Sequence, residues 1–231
     1  GAAMKDFFEE ILPSKGIYFV CSVKPPRNYA CDTQAEMIEK AQNLDAQGID
    51  VFHACASYQT KSYTDAGGNR RQRTTDYVGW VKALFLDIDC GRDKAEKGQG
   101  YASQKEALRE LKQFAQAVRL PKPTVVSSGR GLHVYFLFTE AITKEQWLRL
   151  ADKLKQLTHS PEIRLLADDA CTTDIARILR PVGTHNYKPQ CSGAEVKLLV
   201  NGCATPYDRI SQLLDSAHQT YCCSKEDRKS T

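Results

Sequence analysis

An apolar run that carries two aspartates one residue apart and stops at a glycine constrains this chain most; it spans residues 84–91, LFLDIDCG. Successive side chains of a β-strand point to opposite faces, so Asp87 and Asp89 share one face while Leu86 and Ile88 point into the core. Two carboxylates held this close repel each other, and burial adds to the cost. A divalent cation relieves the repulsion, and hard oxygen donors suit Mg²⁺ or Mn²⁺.

The same pattern has an alternative interpretation. A strand that runs into a polar loop would leave both aspartates solvated or capping a turn. The Asp-x-Asp pair alone does not separate this interpretation from a metal site, so the rest of the chain has to decide.

Length and composition set outer limits. The 231 residues suffice for a sizeable core, and we treat residues 1–231 as a single domain. The net charge of +4 permits a polyanionic partner without requiring one. No run of about 18 apolar residues and no signal peptide is seen, so no membrane association is expected. Nine scattered cysteines without a CxxC pair predict reduced thiols in a cytoplasmic protein, and no spacing argues for zinc.

Apolar spacing and breaker residues predict alternating helices and strands. Helices are expected over residues 5–12, 104–118, 144–157 and 208–217. A further helix is expected between a cap at Asp32 or Thr33 and Gly48, with its apolar positions within 37–44. Strands are expected over residues 17–23, 51–56 and 81–88, in two runs within 124–138, and at the sheet edge over 195–200. Residues 91–100 are interpreted as a mobile connection, residues 1–3 as a cloning remnant and residues 221–231 as a frayed tail.

A long polar stretch covers residues 57–77 and contains Arg70, Arg71 and Arg73. Stretches of this length inside a compact domain are usually functional or disordered. We interpret the three arginines as candidates for nucleic-acid contact, with a solvated loop as the alternative.

A second constellation lies in residues 124–138, where a Ser-Gly-Arg-Gly turn joins two apolar runs. Glycine lets the backbone approach a ligand closely, and exposed amides with a hydroxyl and a guanidinium suit phosphate oxygens. The candidates for phosphate binding are Ser128, Gly129, Arg130 and His133. The alternative is a plain hairpin turn with a structural histidine.

A third constellation spans residues 172–188 and begins with the acid Asp174. Cations and polar side chains follow it: Arg177, Arg180, Asn186 and Lys188. The alternative makes Asp174 a helix cap and the basic residues surface groups.

The three constellations together fit nucleotidyl transfer. Metals held by carboxylates lower the pKa of a primer 3′-hydroxyl and stabilise the leaving pyrophosphate. Cations and amides hold the β- and γ-phosphates in line for attack at the α-phosphorus.

In order and wording, the motifs resemble the catalytic domain of the archaeo-eukaryotic primase superfamily, in its primase-polymerase branch of phages, plasmids and other mobile elements. The resemblance runs from the first strand to about Lys188. It implies an α/β (α+β) fold in which an N-terminal α/β module and an RRM-like sheet enclose the active site. It also implies a DNA primase or DNA polymerase that makes and extends primers during replication.

The resemblance assigns roles to residues as well. It implies that Asp87, Asp89 and Asp174 are catalytic and bind Mg²⁺ or Mn²⁺. It implies nucleotide contacts by Ser128, Gly129, Arg130, His133, Arg180, Asn186 and Lys188. The implied partners are nucleoside triphosphates, single-stranded DNA template and primer, and a helicase or a C-terminal helical domain.

Two departures from the family pattern matter. The zinc-binding insertion of the family has no clear counterpart in this chain. Residues 180–183, RPVG, vary the more usual Pro-Gly order, which blurs which of Arg180 and Lys188 meets the triphosphate.

Three other functions fit parts of the pattern. A haloacid-dehalogenase-type phosphatase also uses Asp-x-Asp, but it wants Thr or Val where this chain has Gly91. A metal-dependent glycosyltransferase leaves residues 128–133 unexplained. A decayed single-stranded nucleic-acid-binding domain is disfavoured because all three acids and the histidine are present.

Overall fold

Two sheets organise the part of the chain that the computed structural model describes, residues 2–223. The helices are α1 (Ala2–Ile11), α2 (Gln34–Ala46), α3 (Arg92–Glu96), α4 (Gln104–Val118), α5 (Lys144–Thr158), α6 (Asp169–Thr172) and α7 (Tyr207–Cys222). The strands are β1 (Tyr18–Val23), β2 (Pro26–Cys31), β3 (Phe52–Ala54), β4 (Ala56–Tyr58), β5 (Tyr63–Thr64), β6 (Arg70–Arg71), β7 (Val78–Cys90), β8 (Gly100–Tyr101), β9 (Thr124–Ser127), β10 (Leu132–Ile142), β11 (Ile178–Leu179), β12 (His185–Asn186), β13 (Ala194–Glu195) and β14 (Lys197–Val200).

The larger sheet, called here the central sheet, has the order β14-β9-β10-β7-β4, with β8 beside the end of β7. The smaller sheet, called here the N-terminal sheet, has the order β11-β3-β1-β2. The chain passes from one sheet to the other at Cys55, between β3 and β4. This is the mixed architecture of two modules that the motif resemblance implies.

A buried histidine joins the two modules. His53 on β3 lies with Nε2 3.2 Å from the Tyr135 hydroxyl of β10, and the rings of Phe7 and Phe8 from α1 meet it edge-on. Burial lowers the pKa of His53 to about 4, so the ring stays neutral at neutral pH. The junction is therefore an apolar core with one satisfied polar contact.

Local signals predicted several elements correctly. Helix α4 has the expected bounds, and Ser103 caps it by accepting a hydrogen bond from the Glu106 amide. Thr33 caps α2 in the same way. Strand β14 lies at the edge of the central sheet, as expected, and all nine cysteines are free thiols.

Other expectations were wrong. Strand β2 was not expected, because two consecutive prolines such as Pro25 and Pro26 usually end a strand. Pro26 instead begins an edge strand that pairs with β1, a position that tolerates proline. The expected strand over 51–56 is two strands in different sheets. The stretch 57–77 contains the hairpin β5–β6, and the connection 91–100 contains α3 and β8.

The expectations for the chain ends have mixed outcomes. Ala2 and Ala3, interpreted as a cloning remnant, belong to α1, and Gly1 lies outside the described residues. Of the expected tail, Tyr221 and Cys222 end α7, while residues 224–231 lie outside the description. Among residues 2–223, no helix combines the length and the apolar character that crossing a membrane requires.

Helix α5 is anchored on β7 by Trp147. Its indole Nε1 donates a 2.8 Å hydrogen bond to the Ala83 carbonyl, and its ring packs 5.2 Å from that of Phe85. Trp147 is fully buried, so both contacts are made away from water and hold the strand that leads into the Asp-x-Asp motif.

Trp147→Phe is expected to lower the free energy of unfolding by about 1–3 kcal/mol, because it leaves a buried carbonyl without one of its donors and fills less volume. Urea denaturation measures the change. Trp80→Phe, the same substitution at the partly exposed second tryptophan, is the control. Equal losses in the two variants would contradict the anchoring role.

Candidate active site

A cleft of about 600 Å³ lies between the central and N-terminal sheets and collects residues from all three sequence motifs. Its charged and polar lining comprises Asp87, Asp89, Asp93, Lys94, Lys97, Ser128, Arg130, His133, Arg177, Arg180, Asn186, Lys188 and Gln190. Acids and cations that are distant in sequence thus face one another across a single open volume.

The two aspartates of the first motif stand at the end of β7, flanked by buried Leu86 and Ile88 as the alternation predicts. Desolvation is the main reason that the pKa of Asp87 is raised to about 7, and the charges of Asp89 and Asp168 add to it. Arg177 and Lys188 act in the opposite direction and do not cancel the effect. The protein alone therefore stabilises the ionised form of Asp87 poorly.

This donor set fits a divalent cation that arrives with a phosphorylated ligand. Within residues 2–223, no group of three or more His, Cys, Asp or Glu side chains is placed to hold a metal ion. Mg²⁺, however, is usually held by one or two carboxylates, with water and substrate phosphates as its other ligands. Asp87 and Asp89 supply such a pair in the cleft, and their repulsion gives the cation a reason to bind.

Asp174 is not among the residues that line the cleft. Its Oδ1 accepts a 3.0 Å hydrogen bond from the Ala176 amide, and its Oδ2 lies 3.4 Å from Arg177 Nε. A role for Asp174 as a metal ligand stays a prediction, and it would require these contacts to change.

Asp168 is the acid that the sequence reasoning missed. Its backbone amide donates a 2.8 Å hydrogen bond to the Asp87 carbonyl, and its charge raises the pKa of Asp87. The Asp168–Asp169 pair was visible in the sequence, but nothing local indicated its distance from β7.

The turn of the second motif is held rigidly. The Ser128 hydroxyl accepts a 3.2 Å hydrogen bond from the Gly131 amide, and the Ser128 amide donates to the Gly131 carbonyl. Gln104 Nε2 of α4 donates a 3.1 Å hydrogen bond to the Gly131 carbonyl of the turn. Gly129 adopts φ 107°, a conformation that side chains disfavour.

Arg130 reaches back from this turn to the end of β7. Its Nε donates a 2.6 Å hydrogen bond to the Cys90 carbonyl, and its Nη2 pairs with the Asp93 carboxylate. Gly91 has φ 132°, and a Cβ there would collide with the Arg130 guanidinium. The glycine after Asp-x-Asp is therefore needed to let the arginine of the second motif lie beside the first.

His133 lies directly opposite Asp87 in the pairing of β10 with β7. Its Nε2 is 3.7 Å from Asp87 Oδ1. Burial lowers the pKa of His133 to about 3, with smaller contributions from His53 and Arg180. His133 is therefore neutral at neutral pH, and the contact with Asp87 is not an ion pair.

Two buried polar atoms of cleft residues form no hydrogen bond in the described part of the chain: His133 Nδ1, and Arg177 Nε, which has only the ion-pair contact with Asp174 at 3.4 Å. Buried polar groups are nearly always satisfied, so such atoms call for an explanation. A bound anion in the cleft would provide one.

The third motif is positioned by acids that follow α2 or lie near its end. Asp50 accepts a 2.6 Å hydrogen bond from Arg180 Nη1 and a 2.8 Å bond from the Tyr187 amide. Asp45 accepts from the His185 amide at 2.8 Å. The guanidinium of Arg180 also lies 4.7 Å above the Phe52 ring. The sequence did not indicate these partners because about 130 residues separate them.

Asn186 ties the second and third motifs together. Its Nδ2 donates a 2.7 Å hydrogen bond to the Ser128 carbonyl, and its Oδ1 accepts from the Lys188 amide at 3.1 Å. Asn186 is buried. In this structure it positions the two loops, and a direct nucleotide contact by Asn186 stays a prediction.

The three arginines of residues 57–77 lie outside the cleft lining. Arg70 and Arg71 are exposed on β6, and Arg71 pairs with Asp65 at 3.5 Å. Arg73 instead donates to Asn28 Oδ1 at 2.8 Å and to the Ala176 carbonyl at 2.5 Å. Nucleic-acid contact stays a prediction for Arg70 and Arg71, whereas Arg73 would have to break bonds that hold the fold.

No family model and no curated protein matches the sequence. The fold is similar to that of the archaeo-eukaryotic primase (AEP) domain of the primase-polymerase of cyanophage S-2L, with a TM-score of 0.56 and 15% identity over 87% of this chain and 89% of that one. It is also similar to the catalytic domain of primase RepB′ solved with initiator DNA, with a TM-score of 0.54 and 16% identity over 95% and 93% of the two chains. At these identities the likeness concerns the fold.

The raised pKa of Asp87 predicts a pH dependence of stability. The unfolded chain loses the Asp87 proton near the ordinary value of 3.8, whereas the folded, metal-free protein keeps it to about 7. Between these values the folded state binds more protons, so stability falls as pH rises, by at most about 1.4 kcal/mol per pH unit from this group.

Asp87→Asn should remove this dependence, because the amide stays neutral. In urea denaturation with a chelator present, the variant is expected to gain stability over the parent as pH rises from about 5 to about 8. Asp152→Asn, the same substitution at an exposed site, is the control. If the free energy of unfolding changed with pH equally in the parent and in Asp87→Asn, the raised pKa of Asp87 would be contradicted.

Proposed function

We propose that this chain, which has the fold of the archaeo-eukaryotic primase superfamily in its primase-polymerase branch, is a template-directed nucleotidyltransferase that makes and extends primers on single-stranded DNA. The observation that carries the proposal is the cleft itself. Two carboxylates at the end of β7 line the same cleft as cationic and hydrogen-bonding side chains of the second and third motifs, which are suited to binding phosphate.

Each set of residues has a task in that reaction. Asp87 and Asp89 would hold Mg²⁺ or Mn²⁺, which lowers the pKa of the attacking hydroxyl and neutralises the leaving pyrophosphate. Arg130, Arg180 and Lys188 supply positive charge to the triphosphate. The neutral ring of His133 donates a hydrogen bond without adding a charge that would compete with the cation for Asp87.

The chain also fixes the geometry that transfer needs. In-line attack requires the α-phosphorus to be held while the β- and γ-phosphates are gripped. Asn186 bonds the third motif to the second, and Asp50 holds Arg180 of the third motif in place, so the cations converge before substrate binds. Such preorganisation is favourable because little reorganisation remains to be done in the transition state.

DNA is the proposed polymeric partner. The RepB′ catalytic domain, which shares this fold, was solved with initiator DNA. A net charge of +4 and the exposed arginines of β6 are compatible with binding along a phosphate backbone. A helicase or a C-terminal helical domain is a further proposed partner, in keeping with the family resemblance.

An unprimed single-stranded template tests the function directly. The protein is incubated with Mg²⁺ or Mn²⁺ and labelled ribo- or deoxynucleotides, and products are resolved on a gel. Template-dependent chains are expected. Turnover of nucleotide sugars or of phosphate monoesters instead would favour the glycosyltransferase or the phosphatase.

The carboxylates should be indispensable for synthesis. Asp87→Asn and Asp89→Asn are expected to abolish primer extension while the protein stays folded, because removing one of two repelling charges relieves strain. Asp174→Asn and Asp168→Asn identify the third metal-binding carboxylate. Only the variant that removes a metal ligand should lose primer extension to the same extent as Asp87→Asn. Near-normal extension by Asp87→Asn would overturn the metal assignment.

His133→Ala separates nucleotide binding from metal chemistry. Losing one hydrogen bond to a charged phosphate should weaken triphosphate binding by about one to two decades, that is, about 1.5–3 kcal/mol. Calorimetry with a nonhydrolysable triphosphate and Mg²⁺ measures this, with His159→Ala at an exposed site as the control. Unchanged affinity in His133→Ala would mean that the turn is only a hairpin.

The hairpin arginines can be tested through salt. If Arg70 and Arg71 both contact phosphates of single-stranded DNA, the double alanine variant should lower the slope of log K against log salt by about 1.4. Fluorescence anisotropy with a labelled oligonucleotide measures it. Arg109→Ala on the exposed side of α4 is the control, and an unchanged slope in the double variant would exclude the hairpin from the interface.

A further inference from the structure

The short helix α3 enters the cleft with two charged side chains that the proposed function has not used. It begins immediately after Gly91, at the end of the Asp-x-Asp strand. The Asp93 carboxylate pairs with Arg130 Nη2, and Lys94 Nζ lies 3.5 Å from Asp89 Oδ2. Both side chains line the cleft.

Each of these ion pairs occupies a group that a ligand needs. The Arg130 guanidinium is proposed to bind the triphosphate, and in this structure it is paired with the Asp93 carboxylate. The Asp89 carboxylate is proposed to bind the divalent cation, and in this structure the Lys94 ammonium lies beside it. The Asp93 carboxylate offers Arg130 an anionic oxygen, as a phosphate would. The Lys94 ammonium offers Asp89 a positive charge, as a metal ion would.

We propose that α3 exchanges partners during substrate loading, so that Asp93 and Lys94 set the affinity of the site for the triphosphate and its cation. The triphosphate displaces Asp93 from Arg130, and the cation displaces Lys94 from Asp89. Lys94, once released, joins the cations that hold the phosphates. The inference rests on the proposed function and extends it to residues outside the three motifs.

The exchange is energetically accessible. Asp93 is about half exposed and Lys94 about a third exposed, with side-chain values of 53% and 35%. Ion pairs of this exposure shift an equilibrium by no more than about fivefold. Arg130 also keeps its hydrogen bond to the Cys90 carbonyl through Nε, so the guanidinium stays oriented when Asp93 leaves.

Asp93→Asn tests the first half of the exchange. Calorimetry with nonhydrolysable dATP and Mn²⁺ should show about two- to fivefold tighter binding, because Arg130 no longer has to leave an ion pair. Glu96→Gln on the same helix makes the same change in net charge away from the cleft lining and should not reproduce the gain. The gain should also vanish in an Arg130→Gln background, where the pair is already absent.

Lys94→Gln tests the second half through two effects of opposite sign. Without nucleotide, Mn²⁺ measured by electron paramagnetic resonance should bind more tightly, by up to about fivefold, because Asp89 has lost its internal counter-charge. With Mn²⁺ saturating, triphosphate affinity should fall, because one phosphate contact is lost. Arg92→Gln is the charge-matched control, and a merely structural lysine would move both affinities in one direction.

The outcomes separate the two proposals. A parent protein that binds no triphosphate with Mn²⁺ overturns the proposed function, and the exchange with it. A parent that binds, combined with an Asp93→Asn variant that equals Glu96→Gln or keeps its gain without Arg130, overturns the exchange alone. Equal signs for the two Lys94→Gln affinities overturn the part assigned to Lys94.

Discussion

The pairing of β7 with β10 is the constraint on which the rest of the site depends. It sets Asp87 opposite His133 and, two residues further along, Phe85 opposite Tyr135. A slip of one residue would turn every side chain of a strand to its other face. Such a slip in β7 would turn Asp87 and Asp89 to the face where Leu86 and Ile88 are fully buried, and the cost of burying two carboxylates there opposes it.

Charges of both signs then meet across the cleft. The end of β7 contributes Asp87 and Asp89, the turn between β9 and β10 contributes Arg130, and the third motif contributes Arg180 and Lys188. Bringing them together across solvent creates a field that suits a polyanion with its counter-cation. Desolvation, with the neighbouring acids Asp89 and Asp168, raises the pKa of Asp87, and this energetic cost is one that a bound cation relieves.

Sequence reasoning worked where the signal was local. Alternation around Asp87 and Asp89, the glycines of the 128–131 turn and the apolar stripe of α4 each depend on residues within one element, and the structure has all three. It failed for Asp50, Asp168 and Arg73, whose partners depend on how distant segments pack. No periodicity encodes that Arg73 reaches the Ala176 carbonyl. The prediction missed strand β2 for a different reason: in the sequence alone, a proline that begins an edge strand cannot be told from one that ends a strand.

The crossing of the chain between the sheets has a consequence for how such a protein is made and inherited. The N-terminal sheet includes β11, which is contributed only after residue 177, and the amide of Cys55 bonds to the Arg177 carbonyl. A nascent chain therefore cannot complete its first module until nearly all of the second has emerged from the ribosome. The cleft therefore forms only after β11 has been synthesised, and a recombination breakpoint anywhere between β3 and β11 would separate strands of one sheet.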